Sequence, residues 1–109
     1  MCNATKKHQV KFKRHLPPLL SIELLNQAAI ITQKITLTSE FESSVYKLRG
    51  IIYSGGFHFT ARVIDSESNV WYYDGVTTKR EPQYEGLLSN VGDLHTAVTR
   101  NACILIYSP

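Results

Sequence analysis

Two β-prone runs, 46–53 and 57–64, are separated by Ser54-Gly55-Gly56. Glycine pairs between such runs mark tight hairpins, because the turn needs positive φ and glycine adopts it without steric cost. Taking Gly55 and Gly56 as the two loop residues sets Ser54 against Phe57, Tyr53 against His58 and Ile52 against Phe59. Side chains alternate between faces along a strand. One face then collects Tyr46, Leu48, Ile52, Phe59, Ala61 and Val63, and it reads as the core face. The other collects Lys47, Arg49, Ile51, Tyr53, His58, Thr60 and Arg62, a mixed and largely polar set.

A second turn follows at Asp65-Ser66-Glu67-Ser68-Asn69, before the β-prone run Val70-Trp71-Tyr72-Tyr73. If Ile64 faces Val70, then Thr60 faces Asp74, and His58 and Asp74 become diagonal neighbours on one face, about 7–8 Å apart at the backbone. That is within reach of an imidazole–carboxylate hydrogen bond, which fixes a histidine tautomer and stabilises its charged form, as general-base chemistry requires. The bland alternative is a sheet histidine capped by Tyr53 or Thr60. Asp65 and Glu67 read as solvated loop acids, and Trp71 and Tyr73 as core residues.

The rest of the chain also reads as β. His8 to Arg14 alternates, Leu16-Pro17-Pro18 breaks the pattern, and strands are expected over 19–25 and 33–37. Asn26 to Ile31 is ambiguous, Thr38 to Ser44 is a polar loop, and Gly75 to Gly86 is loop-like around Pro82. Leu87 to Arg100 is weakly patterned, with room for a short strand or a helical turn, and Ala102 to Tyr107 is a buried closing strand. The expectation is a mainly β fold of six or seven strands, mostly antiparallel, in a single domain over 1–109.

A hydrophobic fraction of 43% suits a packed chain, and no apolar run reaches membrane-spanning length. Cys2 and Cys103 sit at opposite ends and do not read as a disulfide framework, so an intracellular compartment, cytoplasm or nucleus, is expected. No cofactor or metal site is expected, since the cysteines are distant and His8, His15 and His95 are scattered. The net charge of +3 is concentrated in Lys6, Lys7, Lys11, Lys13 and Arg14. Without an aromatic platform or a nucleic-acid motif, this arm reads as a solvated edge rather than a nucleic-acid site.

Several segments, in order, resemble the ubiquitin-specific protease family of cysteine peptidases. Leu16-Pro17-Pro18-Leu19-Leu20-Ser21-Ile22-Glu23-Leu24 is similar to a Leu-Pro strand of that family, and Tyr46 to Tyr53 to the strand before its histidine. Gly55-Gly56-Phe57-His58-Phe59-Thr60-Ala61 resembles the histidine box, and Tyr73-Asp74 followed by Val76 the aspartate box. Ala102-Cys103-Ile104-Leu105-Ile106-Tyr107 resembles the closing strand, and Ala4-Thr5-Lys6-Lys7 the segment leaving the zinc-bearing fingers. The resemblance implies the C-terminal palm of a papain-like fold, with His58 as general base and Asp74 as its orienting carboxylate. Gly55, Gly56 and Tyr53 would line the path of the substrate tail.

The family's Cys box has no counterpart in this sequence. Cys2 looks like a stray residue or a former zinc ligand, and Cys103, among apolar neighbours, like an inert core thiol. The resemblance therefore implies a deubiquitinase section that is inactive alone, its partners being ubiquitin or a ubiquitin-like protein and a half supplying the Cys box. The alternative is a non-catalytic module that binds such a protein. A peptidase trimming a different ubiquitin-like protein is a weaker match. In a chain lacking the helical half, the face bearing Ile51 and Tyr53 is expected to meet water and drive association.

Overall fold

The computed structural model describes residues 9–12 (backbone course only), 15–24, 30–75 and 81–109. The basic arm's side chains, Cys2, His8, the segment 25–29 and Val76 lie outside these residues. The strands are β1 Gln9–Phe12, β2 Leu20–Glu23, β3 Lys34–Ser39, β4 Ser43–Gly55, β5 His58–Ile64, β6 Asn69–Tyr73, β7 Gln83–Leu87, β8 Thr96–Ala97 and β9 Arg100–Ser108. They form one sheet, antiparallel except where β1 runs alongside β3 in the same direction. A 3-10 turn at Leu88–Asn90 is the sole helical element among the described residues.

β4 is the spine. Its first half pairs with β3 and its second half with β5 along the same edge, while β9 runs along the other edge from Lys47 to Ser54. The β4–β9 ladder slips between Leu48 and Gly50 and slips back between Ile52 and Tyr53. Arg49 is the supernumerary residue at the first slip and Cys103 at the second. A bulge sets two residues against one and shifts the inward–outward phase beyond it. Tyr46 and Leu48 therefore point inward with Ile51 and Tyr53, and Tyr107 and Leu105 with Ala102.

That phase shift corrects the expected faces. The grouping of Ile51, Tyr53, His58, Thr60 and Arg62 holds, but theirs is the core face. Phe59 (66% exposed) and Val63 (41%) stand on the outer face, as does Tyr73, while Trp71 is half-buried and Tyr72 is buried. The expectation that Ile51 and Tyr53 meet water fails for the same reason: both are fully buried.

The β4–β5 loop is also one residue further on than expected. Gly56 and Phe57 form it, with φ of 60° and 59°, the left-handed pair of a primed hairpin turn. Gly55 instead pairs with His58, and Tyr53 with Thr60. Gly55 is held in the ladder by a close approach: Arg100 Nε donates to its carbonyl at 3.1 Å, and a Cβ at Gly55 would lie 3.2 Å from Arg100 Cγ. The displacement is a whole two-residue repeat, so the residues that share a face are unchanged. The β5–β6 register is the expected one, from Ile64 against Val70 to Ala61 against Tyr73.

Three further readings change. Thr38 and Ser43–Ser44 belong to strands, leaving a loop of only 40–42. Residues 83–86, expected in a loop, open β7, an exposed edge strand whose polar sequence hides it. Asp65 is not merely solvated: its carboxylate accepts from the backbone N–H of Glu67 and Asn69, each at 2.9 Å, from Asn69 Nδ2 and from Trp71 Nε1. These bonds hold its pKa below the ordinary carboxylate value, with the Asn69 N–H foremost.

The core is completed by Leu20 and Ile22 of β2 and by Leu16, Ile31, Val91 and Leu94 from the chain's own loops, all packed against it. A buried tyrosine must place its hydroxyl. Tyr46 donates to the Pro17 carbonyl, Tyr107 to Thr32 at 2.6 Å and Tyr53 to Leu94 at 2.7 Å, so each ties a covering loop to the sheet. The outer face has two continuous rows: Ile104, Ile52, Ala61 and Tyr73, then Ile106, Gly50, Val63, Trp71 and Tyr84.

Candidate functional site

His58 opens β5 directly after the hairpin loop, and Asp74 follows the last residue of β6. Both belong to the core face, at the end of the sheet where the Gly56–Phe57 turn lies. Their side chains meet: His58 Nε2 lies 2.7 Å from Asp74 Oδ1. The pair is asymmetric in burial, with the imidazole 27% exposed and the carboxylate 4%. Tyr72, two residues before Asp74 on the same face, donates its hydroxyl to Oδ2 at 3.4 Å. An ionised carboxylate can only accept, so Nε2 carries the proton, and the neutral imidazole keeps its lone pair on Nδ1. The arrangement can orient a base: a buried acid sets the tautomer, and the opposite ring nitrogen, with no hydrogen-bond partner among the described residues, can take a proton.

The other candidate residues fall differently. Gly56 is exposed at the loop, and Gly55 is half-buried in the ladder. Tyr53 is a core residue, 0% exposed, with its hydroxyl accepting from Arg62 at 2.9 Å and donating to Leu94, so it does not join the surface beside His58. Burial pushes its pKa up to about 12, against the opposing pull of the Arg62 charge. The Cys103 thiol, at its bulge, donates to the Ile52 carbonyl at 3.3 Å. Among the described residues, no three His, Cys, Asp or Glu side chains cluster closely enough to hold a metal ion, and no helix is long and apolar enough to cross a membrane.

Sequence reasoning missed Arg62, four residues beyond His58 on the same face. Its guanidinium is buried and bonded from all three nitrogens: Nε to Glu85 Oε1 at 2.7 Å, Nη2 to Glu85 Oε2 at 3.4 Å, and Nη1 to Tyr53 Oη, the Asp93 carbonyl at 2.8 Å and the Thr96 carbonyl at 3.1 Å. It ties the 93–96 loop across the core face. The period-two spacing His58, Thr60, Arg62 was the signal available. Thr60, between them, has a buried hydroxyl with no hydrogen-bond partner among the described residues. Asp93 turns that loop: its carboxylate takes the Thr96 hydroxyl at 2.6 Å and the His95 N–H at 2.9 Å, which lowers its pKa.

Comparison of the chain with protein-family models, with curated proteins and with solved structures found no significant match to any of them.

Proposed function

We propose that the chain is the histidine- and aspartate-bearing section of a papain-like cysteine peptidase domain of the ubiquitin-specific protease kind, with β4, β5, β6 and β9 as its palm. The observation that most supports this reading is the 2.7 Å bond between the partly exposed His58 and the buried Asp74. In the assembled site, a cysteine thiol from a Cys-box segment outside this sequence gives its proton to His58 Nδ1. The thiolate attacks the isopeptide carbonyl after the last glycine of ubiquitin or a ubiquitin-like protein. The C–N bond breaks as His58 returns the proton to the leaving lysine amine, and water then hydrolyses the thioester. Asp74 holds the ring throughout.

On this reading the chain alone lacks that nucleophile, because its sequence has no counterpart of the Cys box. This favours, as a second reading, a module that binds a ubiquitin-like protein without cleaving it. A fluorogenic ubiquitin substrate separates the two. The peptidase reading expects no turnover by the chain alone, and turnover when a polypeptide carrying a Cys box is added, lost again in His58→Ala. The binding reading expects ubiquitin-induced NMR shifts around His58 without turnover in either case. Turnover by the chain alone that Cys103→Ala abolishes would overturn both.

A further inference from the structure

Among the described arginines, Arg100 is the one whose fork is unspent. Arg62 is bonded from all three nitrogens, and Arg49 donates through Nε to Ser108 Oγ and through Nη2 to the Pro109 carbonyl. Arg100 donates from Nε to the Gly55 carbonyl at 3.1 Å; among the described residues its Nη1 and Nη2 have no acceptor, and no acid pairs with it. Yet the side chain is half-buried, where a cation ordinarily has a counter-charge. Ser54 faces Asn101 on β9, so Arg100 stands beside Gly55, and Gly55 faces His58 on β5. The three form one row across the sheet, on the face that Ala102, Tyr53 and Thr60 share. The closing pair of a two-residue hairpin exchanges its hydrogen bonds, so the Gly55 carbonyl points from β4 toward β5. Arg100 reaches that carbonyl by laying its side chain across Gly55. The glycine lets it pass, since a Cβ there would lie 3.2 Å from Arg100 Cγ. The guanidinium is thereby held over the Gly55–His58 pair, on the side of the sheet from which the imidazole rises.

We propose that Arg100 forms an anion subsite beside His58 and takes a peptide carboxylate there. A guanidinium fork matches the two oxygens of a carboxylate, and a side chain already anchored through Nε loses less freedom on binding. One guanidinium balances one negative charge. A phosphate dianion would need a second cation, which the neutral imidazole oriented by Asp74 does not supply. Phe57 and Val98 stand exposed at the two adjoining turns, so the subsite has apolar neighbours. That suits a carboxylate carried on an apolar residue. The subsite does not depend on the peptidase reading; within that reading, it holds an acidic group of the substrate next to the base.

An amide NMR titration of the full chain at neutral pH uses N-acetyl-leucine, whose carboxylate is free, as the probe. It is expected to shift the amides of Gly55, Gly56, Phe57, His58 and Arg100, with saturation in the millimolar range. N-acetyl-leucine amide, which lacks the charge, is expected to shift none of them. Arg100→Gln should abolish the shifts, and Arg100→Lys, a charge without the fork, should weaken binding about tenfold. Gly55→Ala keeps the arginine but pushes it off its path, and should also weaken binding about tenfold. The remaining amide signals report whether each variant is folded. No saturable shift in the wild type, equal shifts with the amide probe, or undiminished binding in Arg100→Gln or Gly55→Ala each overturn the proposal. Inorganic phosphate binding more tightly than N-acetyl-leucine overturns the assignment to a carboxylate.

Discussion

β5 carries two acid–base pairs, four residues apart and on the same face, and they are built in opposite senses. In His58–Asp74 the acid is buried and the base is partly open, 4% against 27% exposed. In Arg62–Glu85 the base is buried and the acid is open, 9% against 29%. The guanidinium directs its three nitrogens to two carbonyls, a phenol and a carboxylate of the same chain. The imidazole spends one nitrogen and keeps the other. Burying the acid leaves an oriented imidazole at the surface, whereas burying the base yields a tether for a loop.

The largest expected effect tests the tether. Arg62→Met leaves the Asp93 and Thr96 carbonyls and Glu85 without their donor, and is expected to cost about 3 kcal/mol in a urea melt followed by Trp71 fluorescence. Asp74→Asn keeps the shape but loses the charge-assisted bond to His58, and should cost about 1.5–3 kcal/mol by the same measurement. His58→Ala removes the open partner of its pair, and Glu85→Gln neutralises the open partner of the other. Each takes the partner from a buried charge, the Asp74 carboxylate or the Arg62 guanidinium, and should cost about 1–2 kcal/mol; a loss as large as that at the buried partner would erase the contrast. The smallest effect appears only in alkali. Because the Tyr53 pKa is raised from 10 to about 12 in the fold, its contribution to stability is complete below pH 10 and is lost as pH rises through about 12. A phenolate titration in the ultraviolet should show this tyrosine ionising late, and in Arg62→Met later still if the fold survives, since the lowering charge is gone.

The hairpin run, the β5–β6 register and the meeting of His58 with Asp74 were legible because turn chemistry and period-two alternation are local. The sense of burial was not. Alternation through Tyr46 and Leu48 puts Ile52 inside, and only a pairing partner distant in sequence, β9, reveals that Arg49 is an extra residue. β7 was illegible because an edge strand with both sides open needs no apolar alternation, and Gln83, Tyr84 and Glu85 read as loop. Arg62 was visible as a charge on the histidine face. Its task depends on the 93–96 carbonyls, which no local pattern brings to it.

The two bulges carry a consequence for the length of the chain. A shortened protein lacking Arg49 and Cys103 would keep the same side chains turned inward, since the ladder on either side of each is regular without it. What it would lose is curvature: the corner in β4 where one neighbour, β3, gives way to the next, β5, along a single edge. Removing these two residues would leave burial intact and straighten the ribbon on which the hairpin bearing His58 is aimed.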